Sequence, residues 1–330
     1  MSAPQKRVLS GMRPTGQMHL GHYFGALENW VRLQNSGEYV CHFFSADWHA
    51  LTTGYRETTE LRSYRRQMFA DWLAVGIDPK KAVLFEQAAI PEHAELYTLL
   101  GMITPIPWLE RVPSYKELRA ELSSRDLSSI GFLGYPLLQT ADIAIHRGSH
   151  VPVGEDQLAH VELSREVIRR FNSFYGEVLP EPQGLVAKTR RLPGLDSRKM
   201  SKSYNNAIFM AEPAEESRQK VMTAPTDPQR VKRNDPGDPE VCNIYAYQKL
   251  FQNADGLAEI AEGCRTAGIG CVDCKKRLLG KMEEFRAPIR EKREAILAGS
   301  ELDDIIAEGN KTARQGAQET MAKVREAVNL

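Results

Sequence analysis

Along the first half of the chain, short apolar runs alternate with longer stretches whose apolar residues recur at helical spacing. Val8 and Leu9 form the first run, which stops at Gly11; Pro14 and Gly16 then enforce an irregular loop. A helical pattern begins near His19 and continues through Leu27, Trp30, Val31 and Leu33. Tyr39 to Ser45, rich in β-branched and aromatic residues, predicts a second strand, Thr58 to Val75 a helix stopped by Gly76, and Ala82 to Phe85 a third strand. Pro91 starts another helix with Leu96, Leu99 and Leu100 on one side. Gly134 to Ile145 is apolar all round apart from Gln139, Thr140 and Asp142, which is the pattern of a buried helix. Val151 and Val153 alternate as a strand, and Gly154 to Gln157 opens a helix through Leu163 and Val167. This alternation implies an α/β fold with a mostly parallel, doubly wound sheet, whose ligands bind beyond the carboxyl ends of the strands. Beyond Pro213 the patterns are helical almost to the end, interrupted by turn residues from Asn234 to Pro239.

Composition narrows the class without naming a chemistry. The 330 residues suggest about two domains with an ample core. Forty-three basic side chains balance forty-three acidic ones, so DNA is not an expected partner and any RNA contact must come from local patches. No apolar run approaches membrane-spanning length, and Met1 to Arg7 lacks a signal-peptide core; a cytoplasmic location without membrane attachment is expected.

The candidate chemistry starts in the opening loop. A strand, a tight loop and a helix outline a phosphate site, because the first turn of a helix presents unpaired N–H groups and a positive dipole end. His19 and His22 lie three apart in that turn and can each donate to one anion, while Gly21 between them lets a base or ribose approach the backbone. Alone, such a pair is more often a helix surface or a chance match. A second signal stands far down the chain, in Lys199-Met200-Ser201-Lys202-Ser203, within a segment from Lys188 to Lys202 holding six basic residues and one acid. A solvated basic loop is the plain reading, and a loop that carries ammonium groups to a polyphosphate is the functional one.

The His-Leu-Gly-His tetrad followed by Lys-Met-Ser-Lys-Ser resembles the class I aminoacyl-tRNA synthetases, and Val151-Pro-Val-Gly-Glu-Asp-Gln157 resembles their tryptophanyl branch. The resemblance implies a Rossmann-like catalytic domain over 1–204 and a mainly helical anticodon-binding domain over 205–330. It further implies that ATP and tryptophan react to an adenylate and pyrophosphate, with Mg2+ on the polyphosphate, before transfer to tRNA(Trp). His19, His22, Lys199 and Lys202 would stabilise charge on the phosphates. Arg13, Pro14, Thr15, Gly21, Gly154, Glu155, Asp156, Leu192, Met200, Ser201 and Ser203 complete the expected ATP site, although an Asp helix cap also suits position 156. Tryptophan would meet Leu9, Tyr135, Gln139, Asp142, Val151, Val153 and Gln157. Asp142 is the expected acceptor of the indole N–H, an apt match of an acceptor-only group to a donor-only one. Gln139 stands where many bacterial relatives have methionine and is assigned to the amino group. Arg111 and Lys116 resemble residues of a mobile active-site region. A homodimer is expected from the same resemblance. The rival readings are a tyrosyl enzyme, a nucleotidyltransferase outside translation, and a non-catalytic derivative.

Four of five cysteines cluster as Cys242, Cys264, Cys271 and Cys274, within thirty-three residues. In a chain expected to be cytosolic, this favours metal over disulfide, and an all-thiolate site takes zinc or an iron–sulfur cluster. Spacing does not separate the two; resemblance to some bacterial tryptophanyl enzymes implies a [4Fe-4S] cluster. Cys41 reads as a small core residue. Residues 265–294 hold nine basic side chains against five acids, either an RNA-steering face or a salt-laced helix surface.

Overall fold

In the computed structural model, which describes residues 6–113, 128–186, 192–198, 200 and 204–330 and leaves the Asp156 side chain undescribed, the chain opens on a strand, β1 (Arg7–Met12). With β2 (Val40–Ser45), β3 (Ala82–Glu86), β4 (His150–Val153) and β5 (Gln183–Val186) it forms an all-parallel sheet in the order β3-β2-β1-β4-β5. The sequence thus reads correctly as a doubly wound α/β fold. Strand β2 is buried along nearly its whole length, which is why it reads as a continuous apolar run rather than an alternating one. The strand order reverses between β1 and β4, where a crevice is left for a ligand.

The expected helices are present, with one change of geometry and one missed strand. Helix Leu61–Ala74 ends as Gly76 takes φ +109° and the Ile77 N–H donates to the Trp72 carbonyl, a termination that glycine permits. The pattern from His19 to Leu33 is not one α-helix. Leu20–His22 and Glu28–Asn35 are joined by a π-helical segment, Tyr23–Leu27. Such segments are seldom legible from period alone and are frequent at functional sites. Strand β5 escaped notice because its residues are exposed or half-buried and carry no alternation.

The helices after position 205 share the core of the sheet. Leu278, Met282, Leu302 and Ile306 pack with Trp30, Phe43 and Trp72 on one face. Ala313, Ala317, Met321 and Val324 of the last helix, Glu301–Val328, join the other face. Between these groups that helix crosses the edge of β3. A Cβ on Gly309 would stand 1.8 Å from the Leu84 carbonyl oxygen, so only glycine allows the approach. The Asn310 side chain accepts from the Glu86 N–H at 2.8 Å and donates to the Glu86 carboxylate at 3.0 Å, occupying polar groups that an edge strand would otherwise expose. Among the described residues no helix is long and apolar enough to cross a membrane.

Candidate functional site

A cavity of about 240 Å³ lies at the reversal point, beyond the carboxyl ends of β1 and β4. Leu9, Gln139, Asp142, Val151, Val153 and Gln157, all expected at the amino-acid site, line it together with Gly154 of the expected ATP set. Gly25 and Ala26, from the π-helical segment, form part of its wall. Gly11 stands at its edge, where a Cβ would meet the Phe44 ring at 2.4 Å. Tyr135 is not in the lining. Its hydroxyl lies 3.3 Å from His160 Nε2, and His160 Nδ1 lies 2.6 Å from Gln157 Oε1. Through His160, a residue that sequence reading did not single out, Tyr135 is linked to Gln157 of the cavity lining.

Asp142 sits on the Tyr135–Ile145 helix with 1% of its surface exposed. A buried carboxylate requires donors, and three residues supply them. His93 Nδ1 is 2.6 Å from Oδ1, His49 Nε2 is 2.9 Å from Oδ2, and the Gln87 amide donates to both oxygens at 2.8 and 2.9 Å. Burial pushes the Asp142 carboxyl up, but His93 and His49 more than offset it and hold the group below the usual carboxylate range. The three residues place four hydrogen bonds on the two oxygens, and Asp142 is itself part of the cavity lining.

In the opening loop, His19 is the N-cap of the Leu20–His22 turn and its ring stacks on His22, with centroids 3.7 Å apart. The His19 backbone N–H donates to His22 Nδ1 at 3.2 Å, so a neutral His22 carries its proton on Nε2. The two signatures meet here. Leu20 N–H donates to the Ile208 carbonyl and Met210 N–H to the Met18 carbonyl, at 2.9 and 2.8 Å, pairing the chain just after the lysine loop with the histidine turn. Buried Met200 faces Gly21: a Cβ on Gly21 would come within 3.3 Å of the Met200 sulfur and 3.0 Å of His19 Nδ1. Leu192 is buried in the same core. Pro14 is buried while Arg13 and Thr15 are exposed. Lys199, Ser201, Lys202, Ser203 and Lys116 lie outside the described residues. Arg111 is exposed, 3.9 Å from Glu166. The cap reading of Asp156 is corrected: Gly154 precedes the 3-10 turn Glu155–Gln157 and Gln157 precedes the following helix, so position 156 lies inside the turn.

The paired segment is held from behind by a buried ion pair that carried no sequence signal. Arg286 donates to the Phe209 carbonyl and to Ser217 Oγ, both at 2.6 Å, and stands 3.7 Å from Glu212, whose carboxylate accepts from the Phe209 N–H at 3.0 Å.

Cys242, Cys264, Cys271 and Cys274 are half-buried free thiols. Burial, then the other three cysteines, push the Cys274 thiol up to about 11 against a Gln248 amide donating to its sulfur at 3.3 Å. Burial likewise raises Cys264, with the Arg230 guanidinium 4.0 Å away opposing it. Among the described residues no three or more His, Cys, Asp or Glu side chains are arranged to hold a single metal ion. Cys41 is wholly buried in β2, a core residue as expected.

Most of the basic face over 265–294 is structural. Lys275 donates to the Met222 and Ala224 carbonyls, Arg286 and Arg293 are buried on Glu212 and Asp71, and Arg277, Lys281 and Arg290 pair with Glu259, Glu284 and Glu283. Arg265, Lys276 and Lys292 are exposed.

A family model described as tRNA synthetases class I (W and Y) matches residues 1–286. The tryptophan–tRNA ligase of Thermotoga maritima is 51% identical over 98% of this chain and 99% of its own, and that of Aquifex aeolicus 44% identical over 98% and 100%. The crystal structure of tryptophanyl-tRNA synthetase from Campylobacter jejuni complexed with ADP and tryptophan superposes with a TM-score of 0.89 at 34% identity, covering 98% of this chain and 100% of that one. A tyrosyl-tRNA synthetase from Archaeoglobus fulgidus, 22% identical with a TM-score of 0.67, shares the fold. Full-length identity of this order, on a sheet whose reversal point holds the expected cavity, shows that the chain belongs to the bacterial tryptophanyl-tRNA synthetases of class I.

Proposed function

We propose that the cavity at the β1–β4 reversal is the tryptophan pocket and that the histidine turn, together with the lysine loop, holds the triphosphate of ATP. The enzyme is a tryptophan–tRNA ligase: it joins tryptophan to AMP with release of pyrophosphate and then transfers the aminoacyl group to tRNA(Trp). The observation that carries the site assignment is the meeting of the two signatures, through the 18–20 and 208–210 backbone pairing and through Met200 against Gly21.

Within this reading Asp142 accepts the indole N–H, Gln139 and Gln157 face the amino and carboxylate end, and Val151 and Val153 hold the ring. The tryptophan carboxylate attacks the α-phosphorus and pyrophosphate leaves, with no covalent bond to the protein. Positioning and charge stabilisation therefore supply the rate, from His19, His22, Lys199 and Lys202. Mg2+ accompanies the polyphosphate as its counter-charge.

The helical part from about 205 onward would bind the anticodon end of tRNA, with Arg265, Lys276 and Lys292 as its exposed cations. Cys242, Cys264, Cys271 and Cys274 would hold a [4Fe-4S] cluster. The donor set fits in kind: four free thiols close enough to feel one another's charge, a neighbouring guanidinium, an amide N–H on one sulfur, and Gly237, where a Cβ would come within 2.9 Å of Cys264 Sγ. Bound there, it would cross-link the start of helix Asn243–Phe251 to helices Ala254–Arg265 and Cys271–Ala298. A homodimer is supported by exposed Met102, Ile106 and Ile130, on helices Glu92–Ile103, Ile106–Glu110 and Ile130–Leu133. The cytoplasm supplies ATP, tRNA and the reducing conditions that free thiols need.

ATP–pyrophosphate exchange with tryptophan and with tyrosine tests the central reading. Exchange driven by tryptophan and lost in Asp142→Asn supports it. Exchange driven equally well by tyrosine would sink it.

A further inference from the structure

Behind the cavity wall, three buried imidazoles, a fourth that is half-buried and one carboxylate share a small volume. His93 lies in the first turn of helix Glu92–Ile103 with no exposed surface, and His146 closes helix Tyr135–Ile145 with 2% exposed. Their Nε2 atoms face each other at 3.0 Å, and His93 turns its other nitrogen to Asp142 at 2.6 Å. Neither histidine lines the cavity. The remaining groups around them are His49 and Gln87 on the carboxylate, His42 of β2 with its ring centroid 5.9 Å from that of His146, and Arg7, whose guanidinium donates to the His146 carbonyl at 2.6 Å. Phe85 packs against both the His93 and His146 rings, which excludes water.

We infer that His146 fixes the tautomer of His93, that His93 in turn holds Asp142 ionised and aimed at the cavity, and that both are positioning residues for selection of the indole N–H. The inference rests on the reading of Asp142 as the indole acceptor.

Two ring nitrogens 3.0 Å apart share one proton. If it belongs to His146, His93 accepts on Nε2 and must carry its own proton on Nδ1, the nitrogen that donates to Asp142. Burial, with the Arg7 guanidinium adding to it, holds His146 well below the ordinary imidazole range, so it stays neutral and able to donate from Nε2. Burial and Arg7 press His42 down to about 3, so no imidazolium from β2 competes. The arrangement parallels a metal-binding histidine whose orientation is set by the partner of its other nitrogen. With His93 locked as a donor, protonating Asp142 means breaking an established bond, and the carboxylate remains an acceptor. An amino acid lacking the N–H leaves that acceptor unpaired and is rejected.

The experiment compares tryptophan with its analogue bearing sulfur in place of the indole N–H, in ATP–pyrophosphate exchange by the full chain. His146→Phe should lower the tryptophan-over-analogue ratio of kcat/KM on the order of tenfold, as for a lost hydrogen bond to a charged group. The loss should lie in KM, with kcat nearly unchanged. On acidification its tryptophan KM should begin to rise at a higher pH than in the wild type, because a loosened Asp142 protonates earlier. His146→Gln, which keeps an N–H toward His93, should restore both. A His146→Phe enzyme with an unchanged ratio and an unchanged pH profile overturns the relay. If Asp142→Asn also leaves the ratio unchanged, the indole assignment itself has failed. In the wild type, 15N spectra of the histidine rings give an answer that needs no substitution: tryptophan, but not the sulfur analogue, should shift His93 and His146, and unmoved resonances overturn the proposal.

Discussion

The sulfur of Met200 lies 3.3 Å from the point that a Cβ on Gly21 would occupy. The two residues are far apart in sequence, yet each sits inside one of the two signatures. Gly21→Ala should therefore push both His19 and the lysine-loop segment. Displacement of reacting groups by less than an ångström is expected to slow activation by up to about 100-fold. Pre-steady-state adenylate formation measures this, and a thermal unfolding midpoint near that of the wild type would show that the fold is intact.

Lys202→Ala addresses the loop itself. If its ammonium meets charge that develops only as pyrophosphate leaves, kcat for activation should fall by roughly 100- to 1000-fold while tryptophan affinity is kept. Equal losses in both would assign the lysine to ground-state binding instead.

Asp142 also makes a stability prediction with a definite sign. Its folded carboxyl is held below the usual range by His93 and His49, acting against burial. The stabilisation is thus present above the unfolded value of about 3.9 and is lost as pH falls through the lower folded one. Asp142→Asn should destabilise by about 3–5 kcal/mol at neutral pH, and the gap should close in acid. Urea unfolding at a series of pH values reads this; a gap that is constant into strong acid would contradict it.

Arg293 Nε and Asp71 Oδ1 pair at 2.5 Å, joining helix Cys271–Ala298 to helix Leu61–Ala74 beneath the sheet. Arg293→Ala removes the ion partner of buried Asp71, leaving it a backbone hydrogen bond from Met18, and should cost about 3–5 kcal/mol, whereas the double change Arg293→Met with Asp71→Leu should cost far less. Chemical denaturation of the three variants distinguishes a mutual dependence from a plain loss of packing.

Protein purified without oxygen should contain bound iron and acid-labile sulfide, and Cys271→Ser should lose both. Zinc in place of iron would exclude the proposed cluster. Because burial holds the Cys274 thiol up to about 11, loading should release protons and grow stronger as pH rises.

The alternation of apolar runs was enough to establish a parallel α/β sheet, since β1 to β4 and the helices between them bury residues at spacings that local period reports. The two signatures were legible for a similar reason: His19 to His22 and Lys199 to Ser203 are contiguous, so their chemistry shows without a fold. Most of the cavity lining was legible too, because Leu9, Gln139, Asp142, Val151, Val153 and Gln157 lie on elements whose ends the sheet order brings together. What the linear chain could not reveal are groups whose roles are made by distant partners. His49, Gln87, His93 and His146 look like ordinary polar residues until the fold closes three of them on Asp142 and places the fourth behind. Arg286 and Arg293 read as part of a basic face, yet long-range ion pairs to Glu212 and Asp71 bury them. Strand β5 has no pattern of its own and exists because β4 offers it an edge to pair with. Periodicity encodes which side of an element is apolar; the identity of what that side meets depends on contacts across hundreds of residues, and only the folded chain supplies them.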